Sequence, residues 1–522
     1  MRASRSSRAE TPRSRTGARG GAHGAGSGTV LHTLEEVAME AARPVSPLLT
    51  DLYQVTMAYA YWRSGAARLD ACFHMVFRSH PFGGGYAVAC GLAQAVEYLE
   101  GLRFQEDDLA YLKTLTGADG APLFDDEFLG WLGSMRFECD VDAVPEGTVV
   151  FPNEPILRVT GPIAQAQLVE TTLLNIVGFQ TLVATKAARV CHAAKGAPVI
   201  EFGLRRAQGP DGGLSASRAA YVGGCVATSN VLAGKRFGVP VGGTHAHSWV
   251  MAFDDEQSAF DAYADAMPNN CVLLVDTYDT LEGVRHAIET GKRLAQRGHA
   301  LIGIRIDSGD LAWFAARARE MLDAAGMQHV KIYASNELDE QTIEALKDQG
   351  APIDVWGVGT KLATADGQSA LGAVYKLSAV REPGGQWEPR IKVSEQSIKT
   401  TIPGVLQVRR FVKDGMFDGD MVFDETRPLE ERCEMVDPGD PIRRKRFCAQ
   451  THEDLLVPVF RRGERVYDVP DAASARARAA AQMARLDASV KRLVAPYIYP
   501  VGIEKGLHDI RAALIARARR IG

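Results

Sequence analysis

The sequence predicts an α/β protein whose middle part folds as an irregular parallel α/β barrel, with mixed helix and strand before and after it. Three observations carry this expectation. Between about 165 and 380, short apolar runs alternate with helix-spaced stretches, and such alternation builds a parallel sheet. The strand candidates are 198–202, 239–242, 271–275, 300–306, 329–334 and 353–358; that number favours a barrel over a doubly wound sheet. The flanking segments lack the alternation.

Taken in order, the first thirty residues carry Arg2, Arg5, Arg8, Arg13, Arg15 and Arg19 among Ser, Gly, Ala and Thr, with Glu10 the lone acid. Such a composition buries too little apolar surface to offset chain ordering, so 1–43 is expected to be disordered. An organellar transit peptide shares the Arg/Ser-rich, acid-poor signature, but bulky apolar residues for an amphipathic face are missing. No apolar h-region follows, which excludes a secretory signal.

Residues 44–164 mix helix and strand. A helix is expected over 48–63, with Thr50 or Asp51 as N-cap. Residues 71–78 alternate as a strand does and stop at Pro81-Phe82-Gly83-Gly84-Gly85. Leu92, Ala95, Val96 and Leu99 mark a further helix, and 136–160 is rich in strand formers. Within 165–380, Leu281, Val284, Ile288 and Leu294 or Ala295 share one face of a helix over 281–296. Beyond 380 come strand-like segments at 390–393, 407–412 and 419–423, a basic loop at 443–446 and an Ala/Arg-rich helix at 472–494.

A chain of 522 residues, 46% apolar and 24% charged, with a net charge of −5, suits a soluble globular protein of two or three domains. It argues against whole-surface affinity for nucleic acid or membrane. No apolar run approaches the roughly 18–20 residues that span a bilayer. The eight cysteines are scattered without a CxxC pair. They read as reduced thiols of a cytoplasmic protein.

Chemistry concentrates at the strand exits. Behind 239–241 stands Gly243-Thr244-His245-Ala246-His247-Ser248; behind 198–200 stands Glu201-Phe202-Gly203-Leu204-Arg205-Arg206. Asp276-Thr277-Tyr278-Asp279, Arg305-Ile306-Asp307-Ser308-Gly309-Asp310, Ser335-Asn336 and Gly357-Val358-Gly359-Thr360 follow the later runs. On a barrel such groups converge on the carboxyl face of the sheet. Histidine there serves as acid, base or nucleophile near neutral pH. Carboxylates at 276, 279, 307 and 310 suit Mg²⁺ bridging to phosphates, although Asp279 with Glu282 also reads as a helix cap. A Gly-x-Gly-Thr loop late in the βα series offers unobstructed N–H groups to a phosphate.

The same residues carry a resemblance. Leu48-Leu49-Thr50-Asp51-Leu52-Tyr53-Gln54, Phe77-Arg78 with Pro81-Phe82-Gly83-Gly84, and Phe202 to Gly213 resemble the nicotinate phosphoribosyltransferase family. So do Ser229-Asn230-Val231-Leu232-Ala233-Gly234, Gly243-Thr244-x-Ala246-His247-Ser248, Arg305-x-Asp307-Ser308-Gly309-Asp310-Leu311 and Gly357-x-Gly359-Thr360. The similarity runs from about 46 to 410 in matching order.

The resemblance implies condensation of nicotinate with phosphoribosyl pyrophosphate, coupled to ATP hydrolysis through a phosphohistidine, with Mg²⁺ as the metal. It places the phosphorylated nucleophile at His247 and treats His245 as a neighbour. It sets the pyridine ring between Phe202 and Tyr53, the latter supplied by the other subunit of a homodimer. Arg205 and Arg305 would meet carboxylate or phosphates, and Asp307 the ribose hydroxyls or Mg²⁺. Gly357, Gly359 and Thr360 would take the 5′-phosphate; Thr244, Ser248 and Asn336 belong to the same substrate site, and Asp276 and Asp279 are the metal candidates. The expected fold is the barrel (165–380) with an α+β domain built from N-terminal (44–164) and C-terminal (381–522) segments.

Ser229 stands where nicotinamide-specific relatives carry an aspartate; its hydroxyl can donate to a carboxylate that an aspartate would repel. A nicotinamide-specific enzyme is therefore disfavoured. A flavin-binding barrel would leave the Ala-His-Ser cluster without a purpose, and a non-catalytic paralogue fits poorly with retained His247, Arg305 and Asp307. One departure stands out: Leu406 occupies a position where the family often has lysine, whereas Lys392, Lys399 and Arg410 match.

Overall fold

A computed structural model describes residues 45–395, 400–448 and 450–521; the expectation for 1–43, and Lys399, lie outside the described residues. The βα alternation yields a six-stranded sheet in the order Ala227–Thr228, Val199–Glu201, Val355–Val358, Lys331–Ala334, Gly303–Ile306, Val272–Leu274, and every pairing is parallel. These strands are buried apolar runs, as parallel sheets covered by helices require. Helix Thr280–Gln296 buries Val284, Ile288 and Leu294 of the expected face, with Ala287 beside them, while Leu281 is half-buried and Ala295 exposed.

The expected closed barrel is not formed by the backbone ladder of the described residues, which is a six-stranded sheet with two edges. The expected strand 239–242 contributes a single parallel bridge between Thr228 and Val241. Pro240 there has no N–H to donate and only accepts, from Thr228 N at 3.0 Å. The opposite edge ends at Val272–Leu274, where the Leu274 N–H donates to His245 Nε2 at 3.1 Å. An imidazole thus takes the place of a strand carbonyl at this edge.

A second, seven-stranded sheet joins distant parts of the chain in the order Glu388–Pro389, Ala373–Arg381, Asp70–Phe77, Leu157–Pro162, Asp140–Ala143, Val457–Arg461, Glu464–Arg465. Residues 373–381, grouped with the βα series on sequence, pair antiparallel with 70–77 instead. A third sheet of six strands holds Leu406–Lys413, Met416–Asp424, Arg432–Val436, Arg444–Cys448, Thr451–Asp454 and Val501–Glu504. The expected strand at 390–393 is irregular chain.

Two further expectations are corrected. The basic stretch 443–446 is no loop: Arg444–Cys448 is a strand, its cations neutralised by Glu434 (Arg444 at 3.2 Å, Arg446 at 2.7 Å) and Asp418 (Lys445 at 2.7 Å). The helix expected to reach 494 spans Ala472–Ala484. There Asp487 accepts from Ser489 N (2.8 Å) and Oγ (2.5 Å), a local turn that competes with the helical ladder.

Buried charge ties the layers together. Glu340, at the start of helix Glu340–Asp348, meets Lys186 at 2.7 Å and Arg189 at 3.0 Å on the buried helix Glu170–Ala193. Burying such charges is costly in itself, but removing one partner costs about 3–5 kcal/mol because the other is left uncompensated. Leu406 is 2% exposed within its strand. Its N–H donates to His74 Nε2 at 3.0 Å and its carbonyl accepts from Arg158 at 3.1 Å, so apolar packing fills the position where lysine is usual.

Candidate active site

Register places the functional groups. Glu201 lies opposite Thr228 on one side and Val358 on the other; Ile306 pairs with Ala334, and Leu274 with Arg305. The next residues on each strand therefore emerge at one carboxyl end. There a cleft of about 520 Å³ is lined by Phe202, Arg205, Ser229, Thr244, Arg305, Asp307, Asn336, Gly357, Gly359 and Thr360. Arg206, Ser335 and Glu337 line it as well. Sequence reasoning left these three without a role. Arg206 and Ser335 stood in quoted motifs, whereas nothing in the pattern marked Glu337.

His247 opens the short helix His247–Met251. Its Nδ1 lies 3.2 Å from Thr277 Oγ1 and its Nε2 3.8 Å from Asp307 Oδ2. Asp307 is fixed from two sides, and Asp276, which takes its N–H, is itself held by Ser308. Its Oδ1 accepts from Ser335 Oγ, its N–H donates to Asp276 Oδ2 at 2.8 Å, and Ser308 Oγ reaches the same oxygen at 2.6 Å. Arg305 donates to Thr244 Oγ1 at 2.6 Å, while its Nε is buried without a partner. Burial lowers the Arg305 pKa, against the attraction of Asp307 and Asp276. A guanidinium with an unsatisfied N–H on a cleft-lining residue has donor capacity left for an anion.

His245 is a different kind of histidine. It is 8% exposed, and burial, reinforced by Arg305 and His247, lowers its pKa to about 4. Its Nδ1 sits 3.3 Å from the Ala246 carbonyl while Nε2 accepts from Leu274 N. The ring is neutral and committed to backbone.

The aromatic wall depends on glycine. A Cβ on Gly357 would meet Phe202 Cδ2 and Cε2 at 2.6 Å, so only a bare backbone lets the ring lie there. Asn336 holds φ at +119°, a conformation that side chains adopt at a cost; its place on the cleft wall links that strain to the site.

The metal candidates separate. Asp276 keeps Oδ1 buried and without a partner, which suits one bond to a cation. Asp279 instead caps helix Thr280–Gln296, accepting from Glu282 N at 2.9 Å; Asp276, Asp279 and His247 all stand behind the residues that line the cleft. Asp310 likewise caps Leu311–Ala324. Among the described residues no group of three or more His, Cys, Asp or Glu is arranged to hold a metal by itself. Two substrate candidates lie outside the cleft wall: Ser248 is exposed, and Tyr53, 47% exposed on helix Leu52–Ser64, does not reach the cleft of its own chain.

Comparison with known proteins places this geometry. Three family models match: the nicotinate phosphoribosyltransferase N-terminal domain over 48–178, the nicotinate phosphoribosyltransferase family over 198–421, and, overlapping its end, the C-terminal domain over 407–511. Nicotinate phosphoribosyltransferase of Bacillus subtilis (strain 168) is 44% identical over 463 residues, covering 88% of this chain and 93% of that protein. The chain is similar to the crystal structure of human nicotinic acid phosphoribosyltransferase, with TM-score 0.78 and 34% identity over 89% of this chain and 99% of that one. Nicotinate-nucleotide pyrophosphorylase from Pyrococcus furiosus shares the fold at 23% identity, TM-score 0.65, over 88% and 98%.

Proposed function

The chain belongs to the nicotinate phosphoribosyltransferase family, and from that premise we propose how its cleft makes nicotinate mononucleotide. The reaction, a step of NAD biosynthesis and salvage, joins nicotinate to phosphoribosyl pyrophosphate and releases pyrophosphate. One observation supports the mechanism above others: an aromatic face and a neutral hydroxyl (Phe202, Ser229), guanidinium groups (Arg205, Arg305), a carboxylate (Asp307) and a glycine loop (Gly357, Gly359) share one wall.

Phe202 stacks on the electron-poor pyridine ring, and the Ser229 hydroxyl donates to its carboxylate. The ring nitrogen attacks ribose C1 as the C1–O bond to pyrophosphate breaks. Arg305 and Arg205 meet the negative charge that grows on the leaving group. Asp307, fixed by Ser335 and by its own N–H to Asp276, accepts from ribose hydroxyls. The N–H groups of the Gly357–Thr360 loop cradle the 5′-phosphate.

ATP acts through His247. An imidazole nitrogen attacks the terminal phosphorus, ADP leaves, and the labile N–P bond stores part of the energy of ATP. Magnesium fits the unpartnered Asp276 oxygen, since it is usually held by one or two carboxylates plus substrate phosphates, whose charge it would offset; Asp279 falls out of this role. The partner subunit's Tyr53 closes the pyridine pocket in a homodimer.

The parallel sheet is read as an irregular barrel whose edge is completed by His245. The domains are 44–164, 165–372 and 373–522, the second boundary lying before the expected 380 because 373–381 pairs with 70–77. All eight cysteines are free, in keeping with a reducing cytoplasm. Product analysis with nicotinate, nicotinamide and quinolinate as competing acceptors, each with and without ATP, tests the reading. Consumption of nicotinate, without release of CO2, should dominate and should increase with ATP; preferential consumption of nicotinamide, or of quinolinate with release of CO2, would overturn it.

A further inference from the structure

Strand Val199–Glu201 ends in a carboxylate turned away from solvent: Glu201 is 1% exposed. Its Oε1 accepts from the Gly203 N–H. Its Oε2 accepts from Thr228 Oγ1 at 2.6 Å and lies 3.0 Å from Ser217 Oγ. The buried acids Glu146 and Glu340 each meet a cation, Arg218 in one case and Lys186 with Arg189 in the other. Glu201 meets none among the described residues. Burying a carboxylate without a counter-ion is costly, and an apolar side chain would fill the space. What the carboxylate supplies is charge-assisted bonds of fixed geometry.

Those bonds end on the segments that form one end of the cleft. Gly203 follows Phe202 directly, and a Cβ there would meet Ala363 Cβ at 2.3 Å and the Gly359 carbonyl at 2.7 Å. The turn after the aromatic is therefore locked from both sides. Thr228 precedes Ser229, whose N–H donates to the Glu201 carbonyl at 2.9 Å. On the far side of Ser229, Asn230 N donates to Thr228 Oγ1 at 3.0 Å and Asn230 Nδ2 to Ser217 Oγ at 3.1 Å. The Ser217 hydroxyl has one proton for two acceptors, Glu201 Oε2 and the Gly213 carbonyl at 2.9 Å. Thr228 has no such competitor and carries the link.

We propose that Glu201 is a positioning residue: through Gly203 and Thr228 it sets the spacing between the Phe202 ring and the Ser229 hydroxyl, and so fixes how tightly an aromatic carboxylate is held. The inference rests on the assignment of Phe202 and Ser229 to the pyridine pocket. It predicts an effect on the binding of nicotinate and not on that of phosphoribosyl pyrophosphate.

Thr228→Val keeps the shape and removes the hydroxyl; Thr228→Ser restores it. Steady-state kinetics of the full-length enzyme should show the KM for nicotinate raised about tenfold in Thr228→Val, with the KM for phosphoribosyl pyrophosphate changed less than about twofold and Thr228→Ser close to wild type. Equal rises in both KM values, no rise at all, or a serine variant as impaired as the valine one would each overturn the proposal. Phe202→Leu separates this from the pocket assignment. If that variant leaves the KM for nicotinate unchanged, the pocket assignment itself fails. If it raises that KM while Thr228→Val does not, only the positioning role fails.

Discussion

The two nitrogens of His247 face different partners: Nδ1 is 3.2 Å from Thr277 Oγ1, and Nε2 is 3.8 Å from Asp307 Oδ2. His245, two residues away, has neither nitrogen free, since one lies against the Ala246 carbonyl and the other accepts from Leu274 N. A single turn thus holds one histidine able to react and one built into the fold.

His247→Ala should abolish ATP hydrolysis and stimulation by ATP while leaving some ATP-independent synthesis, because the groups that position substrate are intact. His245→Ala should keep ATP coupling but lose about 1–3 kcal/mol of stability, the usual cost of leaving a buried N–H such as that of Leu274 unsatisfied. Chemical unfolding read beside ATPase rates separates the two.

Acid sensitivity follows from the buried imidazoles. Burial lowers the pKa of His245 and of His80 to about 4 from 6.5, and lowers that of His74 well below 6.5. The unfolded chain takes up these protons first, so each neutral histidine contributes stability above pH 6.5 that is lost as pH falls toward the folded pKa. The slope is about 1.4 kcal/mol per pH unit for each group, before solvent screening. Unfolding free energy measured from pH 7 to 4.5 should fall, and the fall should be shallower in His245→Asn.

Gly357→Ala places a methyl group 2.6 Å from the Phe202 ring carbons, so the ring must move. The KM for nicotinate should rise, by about an order of magnitude if roughly 1.4 kcal/mol of stacking and orientation is lost. An unchanged KM in a folded protein would place the pyridine elsewhere.

Ser229→Asp sets a carboxylate against the substrate's own. Nicotinate should bind worse by roughly 2–4 kcal/mol, while nicotinamide, whose amide can donate to the new carboxylate, should lose less or gain. The ratio of kcat/KM for the two acceptors is the quantity to follow. No change in that ratio would show that Ser229 does not face the ring substituent.

Tyr53 tests the shared site. Mixing Tyr53→Ala with His247→Ala subunits should regenerate part of the ATP-coupled activity if the partner subunit's Tyr53 completes each pocket. Demonstrably mixed dimers without any rescue would return Tyr53 to its own chain.

Much of this was legible because chemistry follows apolar strands. The runs ending at Glu201, Thr228, Ile306, Ala334 and Val358 are short and buried, and their exits carry the polar residues that line the cleft. Long-range partners were not legible. Nothing local says that Glu434 and Asp418 neutralise 444–446 into a strand, or that 373–381 leaves the βα series to pair with 70–77. Asp279 could be a ligand or a cap on its spacing, and the local bond from Glu282 N makes it a cap. Glu201 read as a strand end, because the hydroxyls that explain it lie 16 and 27 residues away.

The central claim is that His247 carries phosphate from ATP during turnover. Incubating the enzyme with γ-labelled ATP, quenching in alkali and mapping the label tests it directly. The account predicts acid-labile, alkali-stable label on the peptide bearing His247, discharged on adding phosphoribosyl pyrophosphate and nicotinate and absent from His247→Ala. Label retained in His247→Ala, or found on His245 instead, would contradict it.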